Sequence, residues 1–254
     1  MKKKLLVINT LVFLKQLKEG VPQSEMLGVI HQLGVKKAEV RREYIKNFDL
    51  ELIDIKTKAS DLDIEVFYSV PELLYINGTI QYENVETYFK EAFTMGCSNV
   101  KMIIGGFTTV TSEDVSKVNK LCNQYNIKMT VENDQTEENG KTAKIKTFIE
   151  MFRQLGGNIS VTFDIGNWVW QNQDPIESAR QLKEYVSYIH LKDILKKEKP
   201  EAVLLNEGDI PWENILDILP QDVPLALEYP CGTNAEKQLV TELEKLLNSN
   251  SFNK

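Results

Sequence analysis

Short apolar runs rich in β-branched residues recur along the chain, each followed by a longer stretch in which apolar positions return every three or four residues. Eight such runs can be placed, at 5–9, 37–41, 64–69, 100–105, 128–132, 160–164, 188–192 and 225–229. Their starts lie roughly 25 to 37 residues apart, about what one strand, one helix and two loops consume. The segments between them carry helix punctuation. Residues 24–33 stop at Gly34, 82–95 stop at Gly96, and 112–125 lead into an apolar run, with Ser112-Glu113-Asp114 reading as an N-terminal cap. A closing helix is expected over 235–247, with 248–254 as a frayed tail.

Strand and helix in strict alternation make a parallel sheet, either closed into a barrel or left open and doubly wound. An open sheet of this kind usually carries a glycine fingerprint for phosphate after an early strand. Neither common fingerprint occurs, and Gly105-Gly106 stands alone. The expected fold is therefore a closed parallel (β/α)8 barrel. No proline-rich or glycine/serine-rich linker interrupts the chain, so residues 1–254 are expected to form a single domain.

Composition changes this picture little: 42% hydrophobic and 26% charged residues suit an ordinary globular chain. The net charge of −7 offers no general attraction for a phosphate backbone or an anionic membrane, so neither nucleic acid nor membrane is expected as a partner. The opening Met-Lys-Lys-Lys precedes an apolar run that ends at Asn9, which reads as a first strand of a cytoplasmic protein rather than a signal peptide. Three cysteines, Cys97, Cys122 and Cys231, share no C-x-x-C spacing, which argues against a disulfide framework or a thiolate metal site.

The chemistry gathers at the carboxyl ends of the runs, where a barrel of this type carries its reactive groups. The fifth to eighth runs end in Val-Glu132, Phe-Asp164, Ile-His190 and Leu-Glu228. Taken singly, a strand-end acid more often orders a loop than binds an ion, and His190 alone decides nothing. His31, the other histidine, falls inside an early helical segment and reads as a surface residue. Four metal-capable side chains in consecutive equivalent places are another matter. Charges following apolar runs need compensation. A divalent ion held by three carboxylates and one imidazole supplies it, and the oxygen and nitrogen set suits Mn, Co, Mg or Zn.

At these motifs the chain resembles the xylose-isomerase-like barrel superfamily, which includes sugar isomerases, ketose 3-epimerases, hydroxypyruvate isomerase, inosose and dehydroshikimate dehydratases and endonuclease IV. The similarity runs from Glu-Val-Arg-Arg-Glu at 39–43 to Gly-Asp-Ile-Pro-Trp at 208–212. The resemblance implies one divalent ion on Glu132, Asp164, His190 and Glu228. It also implies that Glu132 and Glu228 flank the substrate as an acid/base pair, serving isomerisation or epimerisation of a sugar or sugar phosphate through an enediolate. Departures narrow it. Where many members have a histidine three residues after the aspartate, this chain has Asn167, and two histidines cannot build the three-metal cluster of the nuclease.

Other residues are candidates to line the pocket: Asn167, Trp168, Lys192, Arg41, Lys101 and Tyr68, each with an ordinary packing or ion-pair role as its alternative. Trp170, Asn133 and Cys231 stand close to the same strand ends. Two other readings are a metal-dependent dehydratase of a cyclic polyol or keto acid, and a non-catalytic barrel that binds sugar or metal. The expected partner is a small sugar or polyol, with a homodimer compatible with barrels of this type.

Overall fold

The computed structural model describes residues 2–253. Among the described residues eleven strands are formed: β1 (Leu6–Asn9), β2 (Lys37–Arg41), β3 (Glu65–Ile76), β4 (Thr79–Ile80), β5 (Asn99–Gly105), β6 (Lys128–Glu132), β7 (Ile159–Asp164), β8 (Val186–Leu191), β9 (Asp193–Leu195), β10 (Glu201–Val203) and β11 (Leu225–Leu227). Eight of them, β1, β2, β3, β5, β6, β7, β8 and β11, pair in parallel in that order, and β11 pairs with β1 to close the barrel. Helices α1 (Leu14–Glu19), α2 (Gln23–Gln32), α3 (Phe48–Leu62), α4 (Tyr82–Met95), α5 (Ser112–Tyr125), α6 (Thr142–Gln154), α7 (Pro175–Leu182), α8 (Trp212–Leu216) and α9 (Ala235–Asn248) surround it, followed by α10 (Asn250–Asn253). Among the described residues no helix is long and apolar enough to cross a membrane.

Alternation along each strand sorts the side chains into two cores. Outward residues such as Ile8, Val40, Val131 and Phe163 join the helices in the large core. Inside the barrel, Val7, Phe67, Tyr188 and Ala226 form a small apolar plug, with the Phe67 and Tyr188 rings 5.1 Å apart. Thr162 donates to Thr130 at 2.7 Å beside it. This plug is the floor on which the strand-end residues stand.

Four expectations need correction. The third run extends far beyond residue 69: the ladder shifts register between Ser69 and Leu73, where Pro71 offers no N–H, and then continues. It turns back through Asn77 and Gly78, both at positive φ (49° and 76°), to pair with β4. The α5 cap is Thr111, not Ser112, in a reciprocal capping box with Asp114. Lys192 and Glu228 lie just past β8 and β11 rather than within them. The expected frayed tail instead carries α10, with Ser251 and Phe252 buried, while Lys254 lies outside the described residues.

Candidate metal centre

Parallel registers put the four strand-end candidates at one level. Asp164 is paired with His190, His190 with Ala226 two residues before Glu228, and Glu132 with Thr162 two residues before Asp164. The period of two turns all four inward, toward the barrel axis above the apolar plug. One donor atom from each lies within 4.8 Å of the others, and all four residues are buried.

Each of the four has one polar atom held from behind and one left facing inward. Asp164 Oδ1 accepts from the Gly166 and Asn167 amides at 2.9 and 2.8 Å. Glu228 Oε1 accepts from Arg41 Nη1 at 2.7 Å and from Asn9 Nδ2 at 3.4 Å. Glu132 Oε2 accepts from Lys101. His190 Nε2 lies 2.9 Å from Glu39 Oε2, which Asn9 also holds at 2.6 Å. The remaining atoms converge: His190 Nδ1 lies 2.6 Å from Glu132 Oε1 and 3.3 Å from Glu228 Oε2. Glu132 Oε1, Asp164 Oδ2 and the His190 ring nitrogens are buried with charge contacts alone, His190 to Glu132 and Glu39 and Asp164 to Lys192, and no directed hydrogen bond. Buried polar atoms are ordinarily satisfied. Three carboxylate oxygens and one imidazole nitrogen aimed at a common point fit a divalent ion, supported from behind as such ligands usually are.

Ionisation follows the same geometry. Burial pushes the Asp164 carboxyl upward, Lys192 opposes it, Glu228 and Glu132 add to it, and the result is about 7. Burial acts in the same direction on Glu132, but Lys101 and His190 outweigh it and hold that carboxyl at about 2. Glu228 is likewise driven well below the usual carboxylate range, burial being overcome by Lys192 and His190. Burial alone would lower the His190 pKa, yet Glu39, Glu228 and Glu132 carry it well above the ordinary imidazole value. An ion on this ring would therefore have to displace a proton.

A cavity of about 340 Å³ opens onto this cluster, lined among others by Arg41, Lys101, Glu132, Asn167, Lys192 and Glu228. Of the four metal-capable residues, the two glutamates reach its wall; Asp164 and His190 lie behind it. Asn167 both lines the cavity and ties its own loop, donating through Nδ2 to the Asn133 carbonyl at 2.9 Å. Asn133 in turn exchanges two hydrogen bonds with the Asp164 backbone.

Tyr68 and Trp168 do not reach the mouth. Tyr68 alternates out of the barrel, and its hydroxyl donates to Glu91 of α4 at 2.7 Å. Trp168 is fully buried with its ring 5.2 Å from that of Phe163, an outward residue of β7. Cys231 is also buried, its thiol against the Tyr229 carbonyl. The residues missing from the sequence reading are Glu39 and Asn9. Glu39 had a signal: it shares a face of β2 with Arg41, two residues on, and is a charge in an otherwise buried strand.

A family model described as xylose isomerase-like TIM barrel matches residues 82–249. The uncharacterized protein YihM of Escherichia coli (strain K12) is 20% identical over 179 residues, 66% of this chain; the chain spans about half the length of that relative, 51%. Solved structures share the fold. The probable 3-DHS dehydratase AsbF of Bacillus anthracis has a TM-score of 0.70 at 17% identity, covering 96% of this chain and 99% of that one. An L-ribulose 3-epimerase has a TM-score of 0.64 at 15% identity, covering 98% and 89%. The IolI protein, with a bound zinc atom, has a TM-score of 0.68 at 16% identity, covering 94% and 95%.

Proposed function

This chain belongs to the xylose isomerase-like TIM barrel family, and from that premise we propose that it is a divalent-metal-dependent isomerase or epimerase of a sugar or sugar derivative. The observation that carries the reading is the division of labour around the cavity. Glu132 and Glu228 present carboxylates to it, whereas Asp164 and His190 stay behind. Glu132, Asp164, His190 and Glu228 would hold the ion, which would supply Lewis-acid polarisation of a carbonyl oxygen.

The rest is work for the chain's own side chains. A carboxylate at Glu132 or Glu228 takes the proton from the carbon beside the carbonyl, and a carboxylate returns it. Lys101 and Lys192, both at the cavity wall, offset the negative charge that develops on substrate oxygen. Asn167 and Arg41 contribute hydrogen bonds to hydroxyl groups at the mouth. The IolI structure holds zinc, and the L-ribulose 3-epimerase carries its activity on the same fold; both support this reading for the present barrel.

The test is metal content by elemental analysis of protein purified without chelator, beside a Glu132→Gln, Glu228→Gln double variant. About one divalent ion per parent chain and none in the variant is the expected result, followed by exchange of substrate carbon-bound hydrogen into deuterated solvent across a panel of sugars. Appearance of an absorbing enone product instead of exchange would assign the chain to the dehydratases. Retained metal without exchange by any sugar would favour a binding barrel.

A further inference from the structure

Three cations touch the carboxylates of the cluster, and an arriving ion would treat them differently. Lys101 holds Glu132 through Oε2 while Oε1 faces inward, so it keeps its partner. Arg41 holds Glu228 through Oε1 and also bonds Glu43 at 2.7 Å on the rim. Lys192 has no such second anchor. Its ammonium lies 2.7 Å from Asp164 Oδ2 and 2.8 Å from Glu228 Oε2. These are the inward oxygens of two of the four donors, because their opposite oxygens are already held from behind.

Lys192 therefore holds, with its own charge, two of the four inward atoms that would face an ion. It also has little room to withdraw. Its side chain is only 9% exposed, and its stem is wedged against Gly166, where an added Cβ would sit 2.6 Å from Lys192 Cγ. Only the tip can swing, and the open space beside it is the cavity it lines. An ammonium stripped of both carboxylates in such a place needs a new counter-charge.

Resting on the metal-dependent reading above, we propose that Lys192 competes with the ion for the inward oxygens of Asp164 and Glu228. Displaced by it, Lys192 binds an oxyanion of the substrate, so the natural substrate is an acidic sugar derivative, carrying a carboxylate or a phosphate, rather than a neutral sugar. Ion and acid then bind cooperatively, since each removes an obstacle to the other.

Calorimetric titration of Mn2+ into the parent and into Lys192→Gln, with and without D-glycerate, glycerol 3-phosphate or glycerol, tests this. Lys192→Gln is expected to take up Mn2+ about fivefold more tightly or better, because no ammonium has to leave. The Mn2+-loaded parent is expected to bind one of the two acids about tenfold more tightly than glycerol, with Mn2+ affinity rising by the same factor when that acid is present. Which acid wins separates a carboxylate from a phosphate. Both effects should vanish in Lys192→Gln and persist in Lys192→Arg, whose retained charge also controls for folding. Equal binding of glycerol and both acids by the parent overturns the proposal and leaves the metal reading standing, as does an acid preference that survives in Lys192→Gln. Failure of every protein to take up Mn2+ overturns both.

Discussion

At the scale of single residues, the candidate site is a set of atoms fixed from behind. Glu39 has no reach to the cavity, yet its carboxylate lies against the far nitrogen of His190. Glu39→Gln removes the charge while keeping the Asn9 contact possible, and such supporting changes weaken metal sites by about 10- to 100-fold. Mn2+ titration of that variant is expected to show a loss in this range. The pH dependence follows from the same cluster. Asp164 at about 7 and His190 well above its ordinary value both bear a proton at lower pH. An ion needs both deprotonated, so Mn2+ affinity should climb as pH rises through 7 and keep climbing above it, by about tenfold per pH unit for each proton displaced. A profile flat from pH 6 to 9 would contradict this electrostatic picture. The four metal-capable side chains were legible in the chain because strand-end polar groups after apolar runs are conspicuous. Glu39 was read only as part of a motif, since which strand lies opposite His190 is a matter of barrel closure.

Elements explain where boundaries moved. The apolar periodicity located all eight barrel strands, but it could not see that β3 continues past Pro71 as a hairpin. The Asn77-Gly78 pair between apolar residues was an available signal for that turn. The hairpin bears on the site, because Pro71 lines the cavity and Tyr75 packs its backbone on Gly105 at the end of β5. Gly105 sits at φ +78°, and a Cβ there would lie 2.1 Å from the Tyr75 carbonyl oxygen. Gly105→Ala is therefore expected to cost about 2 kcal/mol or more, seen as a lower urea midpoint. No compensating gain in activity is expected, since the change opens the hairpin rather than tightening it. Asp193 does similar work past β8: its two carboxylate oxygens accept from the amides of Ile194, Asn206, Gly208 and Ile210, which binds the Gly208–Trp212 segment onto the barrel. The resemblance drawn at that segment is thus to a loop held by one buried acid.

For the molecule as a whole, the cluster gathers four carboxylates, Glu39, Glu132, Asp164 and Glu228, against Arg41, Lys101, Lys192 and the imidazole. An ion that binds only the folded chain stabilises it by mass action, about 2.7 kcal/mol at a hundredfold excess over its dissociation constant. For a chain of this size that amounts to a rise of roughly 5–10 °C in Tm, reversed by chelator and absent from the Glu132→Gln, Glu228→Gln variant. Thermal unfolding with and without Mn2+ measures it directly. The sequence by itself determined the barrel, because the period of apolar positions dictates which segments become strands and which become helices. It also set out the four metal-capable side chains, because they follow those strands at the same end. Only the tertiary structure decided which atoms of those side chains face one another, that Glu39 and Asn9 stand behind them, that Tyr68 and Trp168 turn away, and that Lys192 bridges the inward oxygens of Asp164 and Glu228. Those outcomes depend on strand register and on the face each side chain takes once the barrel closes, and closure pairs residues more than 180 positions apart.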